Sequence, residues 1–136
     1  MATKTLLATD ENMDAVNDFI HSQLPADCPV AVLNQLDLAV EEIYINIAHY
    51  AYAPTVDKVE ITCTLAGTPP VVTVTFKDRG RQFDPLARED PDITLAAEDR
   101  QIGGLGIYLT KQFMDEVTYS YEAGQNVLTF KKTLTA

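Results

Sequence analysis

Four groups of residues in this chain combine chemically capable types with useful spacing. The first is Glu42-x-x-x-Asn46-x-x-His49. On a helix, residues three and four apart are neighbours, so a carboxylate, a carboxamide and an imidazole would point the same way. The second is Asp78-x-Gly80, where a carboxylate follows a run of apolar strand residues. The third is Gly103-Gly104-Leu105-Gly106, opening onto an apolar helical pattern. Unpaired N–H groups and the dipole at such a helix start favour an anion. The fourth is Thr129, in a late strand. Each also has a plain structural reading: a solvated helix edge, a strand-end cap, an ordinary helix start, a strand threonine.

The elements around them decide how they are presented. At about 100° per residue, Leu36, Val40, Ile43, Ile47 and Ala51 share one apolar stripe, with Glu42, Asn46 and His49 beside it. This helix begins near Val30 and must stop before Pro54, since the residue ahead of a proline is pushed out of the α region. Lys58 to Leu65 alternates as a strand, Gly67 to Pro70 is a turn, and Val71 to Asp78 is the partner strand. Val72, Val74 and Phe76 share a face, and Asp78 is the next residue on it. An ionisable group ending a buried row calls for a specific partner.

Upstream, Thr3 to Ala8 reads as a first strand. Thr9 and Asp10 offer N-caps for a helix to about Leu24, which Pro25 ends. Arg79 to about Ile102 breaks the pattern with charges and two prolines, and loops of this length are usually functional or disordered. A helix pattern follows the glycines. The strands Val117 to Tyr121 and Val127 to Leu134 close the chain around the hairpin residues EAGQN. Strands in hairpin pairs with few helices predict an α+β fold: a two-layer sandwich with a mixed, mostly antiparallel sheet, helices on one face, and a single domain over 1–136.

The net charge of −10 argues against a nucleic-acid-binding surface, which needs a basic face. It leaves room for a bound nucleotide, because backbone N–H groups can make a local pocket electropositive. The sequence holds no apolar run long enough to span a membrane and no signal-peptide core. Cys28 and Cys63 lack metal-site spacing and read as reduced thiols of a cytoplasmic protein.

Taken in order, the pieces EEIYINIAHYAY, DRGRQFDP, IGGLGIYLTKQFMDEVTY and NVLTF resemble the GHKL ATPase superfamily with its Bergerat ATP-binding fold. Within it they are most similar to the anti-sigma factor serine/threonine kinases, and the resemblance runs over nearly the whole chain. It implies ATP and Mg2+ as cofactors, with Asn46 as the magnesium-binding asparagine. It implies Glu42 as the general base that takes the proton of a substrate hydroxyl. Glu41 competes for that role, but the spacing to Asn46 favours Glu42. By the same resemblance His49 stands near the phosphates, Asp78 accepts a hydrogen bond from the adenine amine, and Gly80 lets the backbone pass close to the base. Gly103, Gly104, Leu105 and Gly106 form the phosphate-cradling glycine box, Thr129 reaches the adenine, and Arg100 contacts the γ-phosphate. The stretch 79–102 would be an ATP lid. One departure is Gln82, which stands where many relatives carry a second glycine.

The function so implied is an ATP-binding anti-sigma factor. It phosphorylates an anti-anti-sigma antagonist, sequesters a sigma factor, and forms a homodimer as its family does. The alternative is an ATP-dependent binding module with little or no kinase activity, and Glu42 discriminates, since a pure binder needs no base. A histidine-kinase catalytic domain fits less well, because His21 sits on a short helix with no helical hairpin to present it.

Overall fold

Alternation builds the sheet. In a computed structural model that describes residues 1–52, 54–87 and 105–135, the strands are β1 (Ala2–Leu7), β2 (Lys58–Ala66), β3 (Val71–Asp78), β4 (Glu116–Glu122) and β5 (Gln125–Thr133). Their order is β1-β2-β3-β5-β4, and all four pairings are antiparallel. The expected sandwich is therefore found, but no parallel pair occurs among the described residues. Ala123 and Gly124 both take positive φ, as a two-residue turn between β4 and β5 requires.

Side chains on a strand alternate between faces, so register sorts the residues into two sets. Val59, Ile61 and Cys63 of β2, Val72, Val74 and Phe76 of β3, and Leu128 and Phe130 of β5 are buried. The helices α1 (Met13–Ser22), α2 (Val30–Asn46) and α3 (Leu105–Phe113) accompany them. Val16 and Ile20 of α1 and Leu36, Val40 and Ile43 of α2 complete one hydrophobic core with that face. Each large side chain so buried contributes about 1.5–3 kcal/mol relative to exposure.

The opposite face is polar. The register aligns Thr3, Thr62, Thr75, Thr129 and Thr118 in one row across all five strands. The Thr75 and Thr129 hydroxyls lie 3.0 Å apart within it.

The central helix does not stay α-helical to its end. After Asn46 it widens into a π-helix over Ile47–Tyr52. Such turns are rare and concentrate at functional sites. Here the widening changes which residues share a face. Ile47, Ala48, Ala51 and Tyr52 are buried, while His49 and Tyr50 are exposed. Among the described residues, no helix is long and apolar enough to cross a membrane.

Candidate functional site

A narrow cleft lies between the helical layer and the sheet. Ile43, Asn46, Ile47 and Ala51 form its helical wall, and Phe76 and Leu128 lie in the sheet behind it. Its polar lining is Asn46, Asp78, Tyr119 and Asn126. An apolar slot with few convergent polar groups is the usual form of a small-molecule site.

Asp78 ends β3 on the buried face and is only 3% exposed. Its Oδ1 accepts two hydrogen bonds, from the backbone N–H of Gly80 at 2.9 Å and from Asn126 Nδ2 at 2.8 Å. Burial raises the Asp78 pKa, and the Asn126 and Gly80 bonds pull it back down. Both donors meet one oxygen, which leaves Oδ2 for a donor from a ligand.

Asn126 pairs directly across the strands with Asp78. Its amide also donates to the Arg81 carbonyl at 2.8 Å, and its Oδ1 accepts from the Phe83 N–H at 3.0 Å and the Tyr119 hydroxyl at 2.5 Å. Asn126, Tyr119 and Phe83 are cleft residues that the motif reading did not select. The signal for Asn126 was its parity: two residues before Leu128, it falls on the same buried face.

The π-helix and the segment after β3 lock together. A Cβ on Gly80 would lie 2.6 Å from the Ala51 carbonyl oxygen, so only glycine fits there. The close approach that the structure shows at Gly80 is to the Ala51 backbone. Arg81 donates its backbone N–H to the Ala51 carbonyl at 3.1 Å and its Nε–H to the Tyr50 carbonyl at 2.7 Å. The Phe83 ring, which walls the cleft, stacks on Tyr50 with centroids 5.5 Å apart.

Asn46, 7% exposed, also lines the cleft, and half-buried Glu42 sits one turn earlier on α2. Burial raises the Glu42 pKa, opposed by a hydrogen bond with Asn46. Gly106, in the first turn of α3, rests on the Glu42 carboxylate: a Cβ there would lie 2.2 Å from Oε2. Leu105 begins that turn and is exposed.

The structure separates two expected site residues from this group. His49 does not join Asn46 at the cleft; the π-helix turns it outward, and its Nε2 meets Asp10 Oδ1 at 2.7 Å. Thr129 lies on the polar face of the sheet, bonded to Thr75, because its parity in β5 is opposite to that of Asn126 and Leu128. Arg100, Gly103, Gly104 and the part 88–102 of the expected lid lie outside the described residues.

Magnesium takes oxygen ligands and usually keeps waters and phosphate oxygens among them. No group of three or more His, Cys, Asp or Glu side chains among the described residues could hold a metal. The buried Asn46 carboxamide offers one oxygen of the kind that magnesium takes.

Residues 6–132 match the family model described as the histidine kinase-like ATPase domain. The chain is 32% identical over 94 residues to the serine/threonine-protein kinase BtrW of Bordetella bronchiseptica, an alignment covering 69% of this chain and 66% of that protein. It is 31% identical over 103 residues to the serine-protein kinase RsbW of Listeria monocytogenes, covering 73% and 65%. The chain thus spans just under two thirds of the length of these relatives. A crystal structure of the RsbU and RsbW domains of a Mycobacterium tuberculosis protein is similar with a TM-score of 0.65 at 17% identity, over 100% of this chain and 33% of that one. The histidine kinase domain of the Erythrobacter litoralis EL346 blue-light activated histidine kinase gives 0.56 at 15% identity, over 91% and 58%. At such identities these two likenesses speak for the fold alone.

Proposed function

This chain belongs to the histidine kinase-like ATPase domain family, and from that premise we propose that it is an ATP-binding anti-sigma regulator with serine/threonine protein kinase activity. One observation carries the reading: a single cleft is lined by both the buried acceptor Asp78 and the buried Asn46, and Asn46 follows by one turn Glu42, whose carboxylate meets the first turn of α3. Those are the groups that a purine and a phosphate chain would need.

In this reading Asp78 Oδ2 accepts the adenine amine, and Phe83, Ile47 and Leu128 enclose the base. Asn46 offers its carbonyl oxygen to magnesium, and the ion, when bound, neutralises charge on the phosphates. The N–H groups at the α3 start would meet those phosphates. Glu42 takes the proton of a serine or threonine hydroxyl as that oxygen bonds to the γ-phosphorus. The bond from the γ-phosphorus to the β-phosphate oxygen breaks, and ADP leaves. Burial moves the Glu42 carboxyl upward, towards the range where a general base works best at neutral pH.

The substrate in this proposal is an anti-anti-sigma antagonist, and the protein held in its absence is a sigma factor. Support comes from the relatives named serine-protein kinase, at about the 30% identity level. Incubation with Mg-ATP and candidate antagonist domains, read by intact mass, tests it. The wild type should transfer one phosphoryl group. Glu42→Gln should still bind Mg-ATP but transfer at least ~10²-fold more slowly. Equal rates would remove Glu42 from the mechanism.

A further inference from the structure

We propose that Asn126 is a positioning residue that holds the Asp78 carboxylate as a hydrogen-bond acceptor and thereby selects a purine bearing an exocyclic amine over one bearing a carbonyl. The inference rests on the reading of the cleft as a nucleotide site and adds a residue that sets its base preference.

A carboxamide has two N–H donors and one oxygen with two lone pairs. Asn126 is 4% exposed and uses all four: it donates to Asp78 Oδ1 and the Arg81 carbonyl, and accepts from the Phe83 N–H and the Tyr119 hydroxyl. Flipping the amide would set its oxygen against the Asp78 and Arg81 oxygens and its NH2 against the Phe83 N–H; the Tyr119 hydroxyl alone, which can also accept, could follow the flip. Its orientation is therefore fixed, and with it the donor that faces Asp78.

Asp78 is held in turn. The Asn126 amide and the Gly80 N–H converge on Oδ1, so the carboxylate plane is set and Oδ1 is occupied. Two N–H donors on one oxygen favour the ionised carboxyl against the effect of burial. What Asp78 then presents to a ligand is an acceptor. An amine satisfies it. A carbonyl would leave two acceptors facing each other in a buried site with no proton between them. The same Asn126 fixes the start of the segment that carries Phe83 and Pro85, so the acceptor and the wall above it are set together.

Mg-ADP and Mg-IDP differ at that position: inosine diphosphate carries a carbonyl where ADP carries an amine. Calorimetric titration of both into the wild type and into Asn126→Asp is the test. The substitution keeps the shape and an acceptor for Phe83 and Tyr119, but it puts a second carboxyl against Asp78. The two carboxyls would then share a proton, and Asp78 would no longer be a dedicated acceptor. The wild type should prefer ADP at least ~10-fold, and that preference should fall at least ~10-fold in the variant.

A folded Asn126→Asp with the wild-type preference overturns the role of Asn126 and leaves the nucleotide reading standing. A wild type that binds neither nucleotide overturns both. If the variant does not melt cooperatively, the wild type answers by NMR: both Asn126 side-chain amide protons should exchange slowly with water and shift when ADP binds. Fast exchange with and without ADP would overturn the proposal.

Discussion

Gly106 of α3 lies in direct contact with the Glu42 carboxylate of α2, so closely that a methyl group on Gly106 would fall 2.2 Å from Oε2 and 2.3 Å from the carboxyl carbon. The neighbour is the end of a side chain, so the contact can be relieved from either side. Gly106→Ala should destabilise the protein by about 1–3 kcal/mol in urea unfolding, the usual result of overpacking. In a Glu42→Ala background the same change should be neutral or stabilising, because alanine is the better helix former by about 1 kcal/mol. A double-mutant cycle checks this, and additive effects would mean the two residues are not coupled.

Asp78→Asn should raise the melting temperature of the nucleotide-free protein at neutral pH. Burial raises the Asp78 pKa, so the folded state binds that proton more tightly than the unfolded state does. Stability therefore falls as pH rises from the ordinary carboxylate value, about 3.9, through the folded pKa. Above that window the ionised carboxylate is a standing cost that asparagine removes. The gap between variant and wild type should close on acidification through the same window. A variant that melts lower than the wild type at pH 7 would contradict the sign.

Thr129→Val should leave nucleotide affinity unchanged. The hydroxyl bonds Thr75 on the polar face, away from the cleft. Valine keeps the β-branched shape, so stability should move by no more than ~0.5–1 kcal/mol. Titration with Mg-ADP checks it, and a large loss of affinity would place Thr129 in the site after all.

The fold was legible because period-two alternation is strong in this chain. Val72, Val74, Phe76 and Asp78 read as one face, and all four are buried. That same rule locates Asn126, had β5 been started at Gln125; starting it at Val127 left Asn126 among the turn residues of EAGQN. The resemblance points to Thr129, but its parity in β5 places it on the polar face, bonded to Thr75.

The helical reading failed in a different way. At about 100° per residue His49 follows Asn46, but the backbone turns to a π-helix after Asn46 and the spacing no longer holds. Ile47 and Ala51 nevertheless stay buried, as their place on the apolar stripe suggested. No pattern in the sequence announced the switch. It is held in the fold by contacts from a distant segment, Gly80 and Arg81 on Ala51 and Phe83 on Tyr50. The Glu42–Gly106 contact also joins elements far apart in sequence, and spacing within one helix could not reveal it.

Titration of Mg-ADP into the wild type and Asp78→Asn tests the central claim, that the cleft lined by Asp78 is a nucleotide site. Two donors fix Oδ1, so an asparagine oxygen would sit there and its NH2 would face the base amine. The account predicts saturable binding to the wild type and affinity at least ~10-fold weaker for a variant that remains folded. A wild type that takes up no nucleotide at millimolar concentration, or a variant that binds equally well, would contradict it.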